Sequence, residues 1–235
     1  MALERETPWG YLAIPPAIRE HVDKGAPKLT WTILEQELRA SCEDPLYAWL
    51  SLSSLTPSKG GEPVFDPFCA KQMFRYAFEG LPFFIKQTGV DNSMVCHEAV
   101  STMIHYLYDC LKMVELPDSC SLCEGPPAPG IYAVINAAAA RCRLDHYRLT
   151  GEEWALSIQE VALLARMREL SVRNAASPKS KTPITTTKSD EGVTVVDTSE
   201  ADRWLNLRRR YVPTQLPESR NEIDAMVAAI EEWAI

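Results

Sequence analysis

The sequence predicts a mostly helical protein with one small β-hairpin in its C-terminal third. Apolar residues recur at helical spacing over most of the chain, which favours amphipathic helices. Helix-capping pairs become frequent after residue 150, where several short helices are expected. Two β-branched runs, 184–187 and 193–196, flank a polar stretch with a glycine, and this arrangement is typical of a hairpin. A chain of 235 residues is expected to form one large or two modest domains.

The composition favours a soluble cytoplasmic protein without membrane contact. Hydrophobic residues make up 46% of the chain and charged residues 24%, which is the mixture of an ordinary globular protein. No apolar run approaches the roughly 18 residues that a membrane span requires, and residues 1–10 lack the apolar segment of a secretory signal. The seven cysteines are odd in number and widely spread, so reduced thiols are expected rather than a disulfide framework.

The part before residue 150 is predicted to be an acidic helical domain, 1–149, that serves dimerisation, a protein partner or an effector. It begins with a proline-rich arm that carries one short helix near 17–22. The stretch 115–129 contains four prolines and is expected to be a linker or a long loop. Apolar spacing predicts two helices within 28–55, the second starting at Pro45, and single helices over 68–84, 92–114 and 132–146.

Four residue pairs in the C-terminal third fit the capping-box pattern. In this pattern an N-cap side chain and a carboxylate three residues later satisfy each other's backbone amides. The pairs are Thr150 with Glu153, Ser157 with Glu160, Asp197 with Glu200, and Ser219 with Glu222. They predict helices that begin near Gly151, Ile158, Thr198 and Arg220.

The segment 156–176 has the spacing of two short helices joined by a tight turn, as in a helix-turn-helix. Its apolar residues suit the buried face of the first helix, and Val172 would anchor the second. Ser171, Arg173 and Asn174 would then be exposed near the start of the second helix. Arginine can bond guanine, and asparagine can bond adenine, through two hydrogen bonds each. This face is therefore predicted to read bases in the major groove of DNA.

Residues 156–211 resemble the winged helix-turn-helix of the MerR/excisionase type. The sequence supplies the elements of that family in the family's order: helix 158–165, helix 170–176, hairpin 184–196 and helix 198–210. The resemblance implies a double-stranded DNA partner, with the second helix in the groove. It also places Lys181 and Lys188 in the wing region.

The charge distribution agrees with a DNA-binding segment. The window 157–212 holds ten Lys or Arg against seven Asp or Glu, so it carries +3 while the rest of the chain carries −11. Arg168 and Lys179 lie in the part of this window with the largest positive excess. Arg208 and Arg209 belong to an arginine run at the end of the predicted helix 198–210, where they suit the helix dipole and backbone phosphates. All four are predicted DNA contacts.

Cysteine and histidine residues in the N-terminal part raise the alternative of a metal site or an enzyme. Cys120-x-x-Cys123 would need about two more ligands for zinc, and the neighbouring candidates show no second tight spacing. His97 and His105 lie eight residues apart on roughly one helical face, but two ordinary core or surface histidines are strongly favoured over a site. We therefore predict no catalytic residue, no metal and no cofactor.

The sequence thus predicts a non-enzymatic, sequence-specific DNA-binding transcriptional regulator with three parts: 1–149, a winged helix-turn-helix at 150–212, and an amphipathic helix at 213–235. The last helix either folds back or pairs with a second subunit; a homodimer is favoured because helix-turn-helix proteins commonly bind two half-sites. The alternative is a protein–protein adaptor in which the winged unit is structural. The two differ in whether residues 1–149 bury the face with Ser171, Arg173 and Asn174.

Overall fold

A computed structural model describes residues 16–42, 56–57, 63–64, 68–81, 129–189 and 192–234. The helix predicted after Pro45, the helix predicted over 92–114 and most of the linker 115–129 lie outside these residues. So do the Cys120-x-x-Cys123 pair, His97 and His105. Within the described ranges, no helix combines the length and the apolar character needed to cross a membrane.

The described chain is mostly helical and contains a small three-stranded antiparallel sheet, which confirms the predicted mixture of elements. The N-terminal elements are α1 (Pro16–Gly25), a 3-10 turn (Ala26–Lys28), α2 (Trp31–Cys42), β1 (Thr56–Pro57), β2 (Pro63–Val64) and α3 (Phe68–Glu79). The C-terminal elements are α4 (Pro129–Thr150), β3 (Ala155–Ser157), α5 (Ile158–Leu164), α6 (Glu169–Ala175), β4 (Thr187–Lys188), β5 (Thr194–Asp197), α7 (Thr198–Leu205) and α8 (Arg220–Ala234).

Helix α4 lies at the centre of the described core. Its buried alanine run, 137–140, lets neighbouring helices approach closely, and α1, α2, α3, α5, α7 and α8 all pack against it. The same buried cluster continues from the N-terminal helices into β5, α5, α6 and α7. This shared core holds the C-terminal elements in a fixed relation to α1 and α3. The predicted boundaries between the three parts, after residue 149 and after residue 212, stay predictions.

One of the four predicted helix starts is wrong, since α5, α7 and α8 begin at Ile158, Thr198 and Arg220 as predicted. The carboxylates of two of the four pairs, Glu153 and Glu200, have partners other than the predicted cap. No helix begins near Gly151, because Gly151 has a φ of +79° directly after the end of α4. Glu153 instead accepts from the Thr198 hydroxyl (2.8 Å) and from the Ser199 amide (3.1 Å), and so caps the first turn of α7. Asp197 is the N-cap of α7 but its side chain makes no capping bond. The capping box of α5, from Ser157 to Glu160, is confirmed.

The sheet has the order β3-β5-β4 and is antiparallel throughout. Leu156 of β3 is opposite Val196 of β5, and both are fully buried. The hairpin predicted over 184–196 forms with a shorter ladder, because only Thr187 of the first run, together with the following Lys188, pairs with β5. Ile184, at the start of that run, does not pair with β5, because its amide donates to the carbonyl of Ala175 in α6 instead (3.0 Å).

The last helix folds back onto its own chain. Met226 and Ile230 of α8 are buried, and α8 packs along α4. The apolar face that was a candidate for pairing with a second subunit is therefore covered within the chain. The homodimer stays a prediction.

The turn between α5 and α6 uses an arginine where such a turn normally uses glycine. Arg166 has a φ of +53°. Its amide bonds to the Leu163 carbonyl (3.0 Å), and the Met167 amide bonds to the Ala162 carbonyl (2.9 Å), which is the pattern of a left-handed helix C-cap. The Arg166 guanidinium donates to the Leu29 carbonyl and lies 4.8 Å from the centre of the Phe78 ring. Contacts from the N-terminal part thus stabilise a strained residue.

This arrangement predicts an order of stability among variants at this position. Arg166→Ala should lower the free energy of unfolding by about 2 kcal/mol, because it loses the charged hydrogen bond and the ring contact and keeps the strain. Arg166→Gly should cost about 1 kcal/mol less than Arg166→Ala, because glycine adopts positive φ freely. Urea unfolding of both variants checks this, and equal stabilities would contradict the assignment of strain.

Candidate nucleic-acid interface

The exposed face of α6 carries the polar residues that the sequence predicted there. Ser171, Arg173 and Asn174 are exposed, while Val172 and Ala175 on the opposite face are buried. The left-handed turn at the end of α5 lets α6 pack against α5 through the opposite, buried face. The three side chains therefore lie together on one solvent-facing surface.

Leu170 lies on the same face, although it was not among the residues predicted to be exposed there. Its exposed fraction is 64%, the highest among the large apolar residues of the described chain that are exposed. Position 170 precedes the buried Val172 by two residues, which is roughly 200° around a helix, so the spacing could have placed Leu170 outside. An exposed leucine beside Arg173 and Asn174 gives this face an apolar contact as well as hydrogen-bonding groups.

The first turn of α6 is in contact with α1. Asp23 accepts from the Glu169 amide (2.6 Å) and thereby caps α6, whose own N-cap residue Arg168 makes no side-chain capping bond. The carboxylate of Glu169 accepts from Arg19 (3.3 Å) and from Arg173 (3.0 Å from Nε and 2.5 Å from Nη2). The Arg173 guanidinium is thus paired with Glu169 through Nε and Nη2, and the remaining N–H groups of this half-exposed side chain can donate to another group.

The cations predicted to contact DNA outside the arginine run 208–210 are exposed. Arg168, Lys179 and Lys181 are exposed, and Lys188 is exposed on β4. The Lys188 ammonium donates to the Gly192 carbonyl (3.1 Å) and to the Thr194 hydroxyl (2.7 Å), so it also braces the hairpin. All four cations are therefore exposed, and their contact with DNA stays a prediction.

The arginines 208–210 were predicted to lie at the end of a helix, but α7 ends at Leu205 and not at residue 210. They lie beyond the helix end, so the dipole argument for them is wrong. Arg209 is exposed, and Arg210 donates to the Pro27 carbonyl (3.2 Å). Arg208 lies over the ring of Trp204, with 3.9 Å between the guanidinium carbon and the ring centre. Burial, and secondarily the charge of Arg203, lower the pKa of Arg208.

A glutamate joins the hairpin to α7. Glu200 accepts from the Thr185 amide (2.6 Å) and from Arg203 (2.6 Å from Nε), while Arg203 also donates to the Pro183 carbonyl (2.9 Å). The hydrogen bond from Arg203 is the largest of the effects that hold the pKa of Glu200 below its ordinary value of 4.5. These contacts position the strand that carries Lys188.

The lowered pKa of Glu200 predicts a loss of stability in acid. A carboxyl with a depressed folded-state pKa stabilises the fold above the unfolded-state value, and this contribution is lost as the pH falls through the folded-state value. Glu200→Gln should therefore reduce stability near neutral pH by less than about 1 kcal/mol, since water screens the ion pair. The difference between the two proteins should vanish below the pKa of Glu200. A constant difference across a pH series of thermal unfolding would contradict this.

Comparison with protein families, with curated proteins and with solved structures finds no match for this chain. The argument for its function therefore depends on the geometry described above.

Proposed function

We propose that this protein binds double-stranded DNA sequence-specifically and regulates transcription. The binding unit is a winged helix-turn-helix in which α5 and α6 are the helix pair, β4 and β5 form the wing, and α6 enters the major groove. The observation that carries this proposal is the exposed face of α6, where Leu170, Ser171, Arg173 and Asn174 lie on a helix anchored by buried residues. The order α5, α6, β4, β5 and α7 agrees with the order of elements that the MerR/excisionase resemblance implies.

Each side chain of this face suits a different feature of a base edge. Arg173 is matched to guanine and Asn174 to adenine, while Leu170 offers an apolar surface to the methyl group of thymine. Backbone phosphates position a protein without specifying sequence, and they suit the exposed cations of the same segment, Arg168, Lys179, Lys181, Lys188 and Arg209. The rest of the chain carries −11, so DNA repels it and meets the basic segment first.

The adaptor alternative requires that the N-terminal part cover the face of α6. Ser171, Arg173, Asn174, Lys181 and Lys188 are all exposed in the described structure. The contact of Asp23 and Arg19 with Glu169 touches only the first residue of α6. DNA binding is therefore the function that we propose.

Selection from a pool of random duplex DNA by the full-length protein tests the proposal. We expect one defined sequence to be enriched at both low and moderate salt. Binding that is abolished by moderate salt and enriches no sequence would mean nonspecific phosphate binding. Absence of binding at low salt would contradict the proposal, and the adaptor function would replace it.

Removing the charge of Glu169 should strengthen DNA binding. Glu169→Gln frees Arg173 from its ion pair and removes an anion beside the DNA, so affinity should rise about threefold to fivefold at low salt. The helix itself should lose about 0.3–1 kcal/mol, because a carboxylate in the first turn is favourable. Glu218→Gln, an exposed position before α8, is the control with the same change of charge. Equal affinities for the two variants would contradict the role of this pair.

A further inference from the structure

An open cleft of about 360 Å³ lies beside the groove-facing side of α6. Its walls come from α6, from the loop 177–182 and from the end of α7. Ser171 and Asn174 belong both to this cleft and to the exposed face of α6. Anything bound in the cleft would therefore be next to the bases that α6 is proposed to read.

One wall of the cleft is a guanidinium that the fold holds in place. The Trp204 side chain is fully buried and donates to the Thr182 carbonyl (3.0 Å). Arg208 lies on this ring, and its Nη2 donates to the Thr182 hydroxyl (2.5 Å). The Nε–H of Arg208 is buried, and no group in the described part of the chain accepts its hydrogen bond. This guanidinium is therefore positioned in advance, and its Nε–H lacks an acceptor among the described residues.

The other walls suit an anion with several oxygens. Lys179 provides a second cation, and hydroxyl groups of Ser171, Ser177 and Ser180 with the amide of Asn174 provide neutral donors. Of the described residues that line the cleft, none carries a carboxylate. A planar arginine fork surrounded by hydroxyls is the environment in which proteins bind phosphate groups.

We propose that this cleft binds one phosphate group of the DNA backbone, with Arg208 as its principal ligand and Lys179 as its second. The assignment rests on the proposed DNA-binding function. A phosphate fixed here would set the register of α6 along the groove, because the same edge of α6 carries Asn174. A DNA phosphate fits better than a free anion, since the cleft is open along the side of α6 that faces DNA.

The first test compares salt dependence for wild type, Arg208→Gln, Lys179→Gln and the control Arg220→Gln, whose side chain is exposed on α8. Loss of one phosphate contact should reduce the slope of log affinity against log salt by about 0.9 for Arg208→Gln. Lys179→Gln changes an exposed loop residue and should reduce the slope in the same direction. Arg220→Gln should keep the wild-type slope. Wild-type slopes for both cleft variants would overturn the assignment.

The second test locates the phosphate on the duplex that wild type selects. One neutral methylphosphonate is placed at each backbone position in turn, and affinity is measured for wild type, Arg208→Gln and Arg209→Gln, with thermal unfolding as the check of folding. One position should weaken wild type and Arg209→Gln but have no further effect on Arg208→Gln. Retained sensitivity of Arg208→Gln at every position would overturn the proposal while leaving DNA binding intact. Failure of wild type to select any duplex would remove the DNA-binding function itself.

A third measurement distinguishes a phosphate of the DNA backbone from a free anion as the ligand of the cleft. Inorganic phosphate replaces chloride at equal ionic strength in the same binding reaction. The proposal expects the same loss of affinity in both salts for wild type and for Arg208→Gln. Stronger competition by phosphate in wild type alone would assign the cleft to a free phosphate and overturn the backbone assignment.

Discussion

Arg141→Ala is expected to lower the free energy of unfolding by about 3–5 kcal/mol. The Arg141 side chain is 1% exposed, and its Nε and Nη2 each donate to the Ala77 carbonyl at 3.1 Å. Its Nη1 donates to the Thr214 hydroxyl (2.9 Å), which in turn donates to the buried carboxylate of Asp145 (2.7 Å). Alanine would leave the Ala77 carbonyl without this donor and Asp145 with only one of its two neighbouring cations, Arg148, which is costly in a buried site.

Urea unfolding with a matched arginine measures this effect. Arg75 on α3 is 42% exposed and pairs with Glu79. Arg75→Ala should therefore cost no more than about 1 kcal/mol. A similar small cost for Arg141→Ala would contradict the view that the network of Arg141, Asp145 and Thr214 holds the segment after α7 against α4.

The second large effect is the loss of sequence discrimination in the variant Arg173→Ala with Asn174→Ala. Each bidentate contact between a side chain and a base provides about 1–3 kcal/mol of discrimination, so the two together should contribute about 2–6 kcal/mol. Affinity for unrelated duplexes should change little, because lysine and arginine contacts to phosphates remain. Competition between the selected duplex and an unrelated duplex measures the difference.

The chain offers a control of the same chemistry. Arg220 and Asn221 form the same dipeptide at the start of α8, where both are exposed. Changing both to alanine removes the same groups and the same charge from a different helix, and should leave discrimination unchanged. If the two double variants lose equal discrimination, the assignment of α6 as the reading helix is wrong.

Local patterns in the sequence predicted much of the C-terminal structure. The capping box from Ser157 to Glu160 is satisfied within four residues, so neighbouring chain alone determines where α5 begins. Helical periodicity placed Val172 inside and Asn174 outside, since one buried residue fixes the orientation of so short a helix. The same periodicity would have identified Leu170 as exposed.

Contacts between distant segments could not be predicted from those patterns. The positive φ of Arg166 is stabilised by Leu29 and Phe78, which are far away in sequence, whereas the local pattern for such a turn is a glycine. The cap that Asp23 provides for α6 joins residues 146 positions apart. The cleft likewise depends on Arg208 lying against Trp204 after α7 has ended.

The central claim is that the exposed face of α6 touches DNA, and site-specific photo-crosslinking tests it most directly. A benzophenone side chain replaces Asn174 in one protein and Asn221 in another, since both are exposed asparagines on helices. Each protein is irradiated with the duplex that wild type selects. The account predicts a crosslink to DNA from position 174, competed by unlabelled duplex, and none from position 221. Retained binding with no crosslink from 174, or with equal crosslinks from both positions, would contradict it.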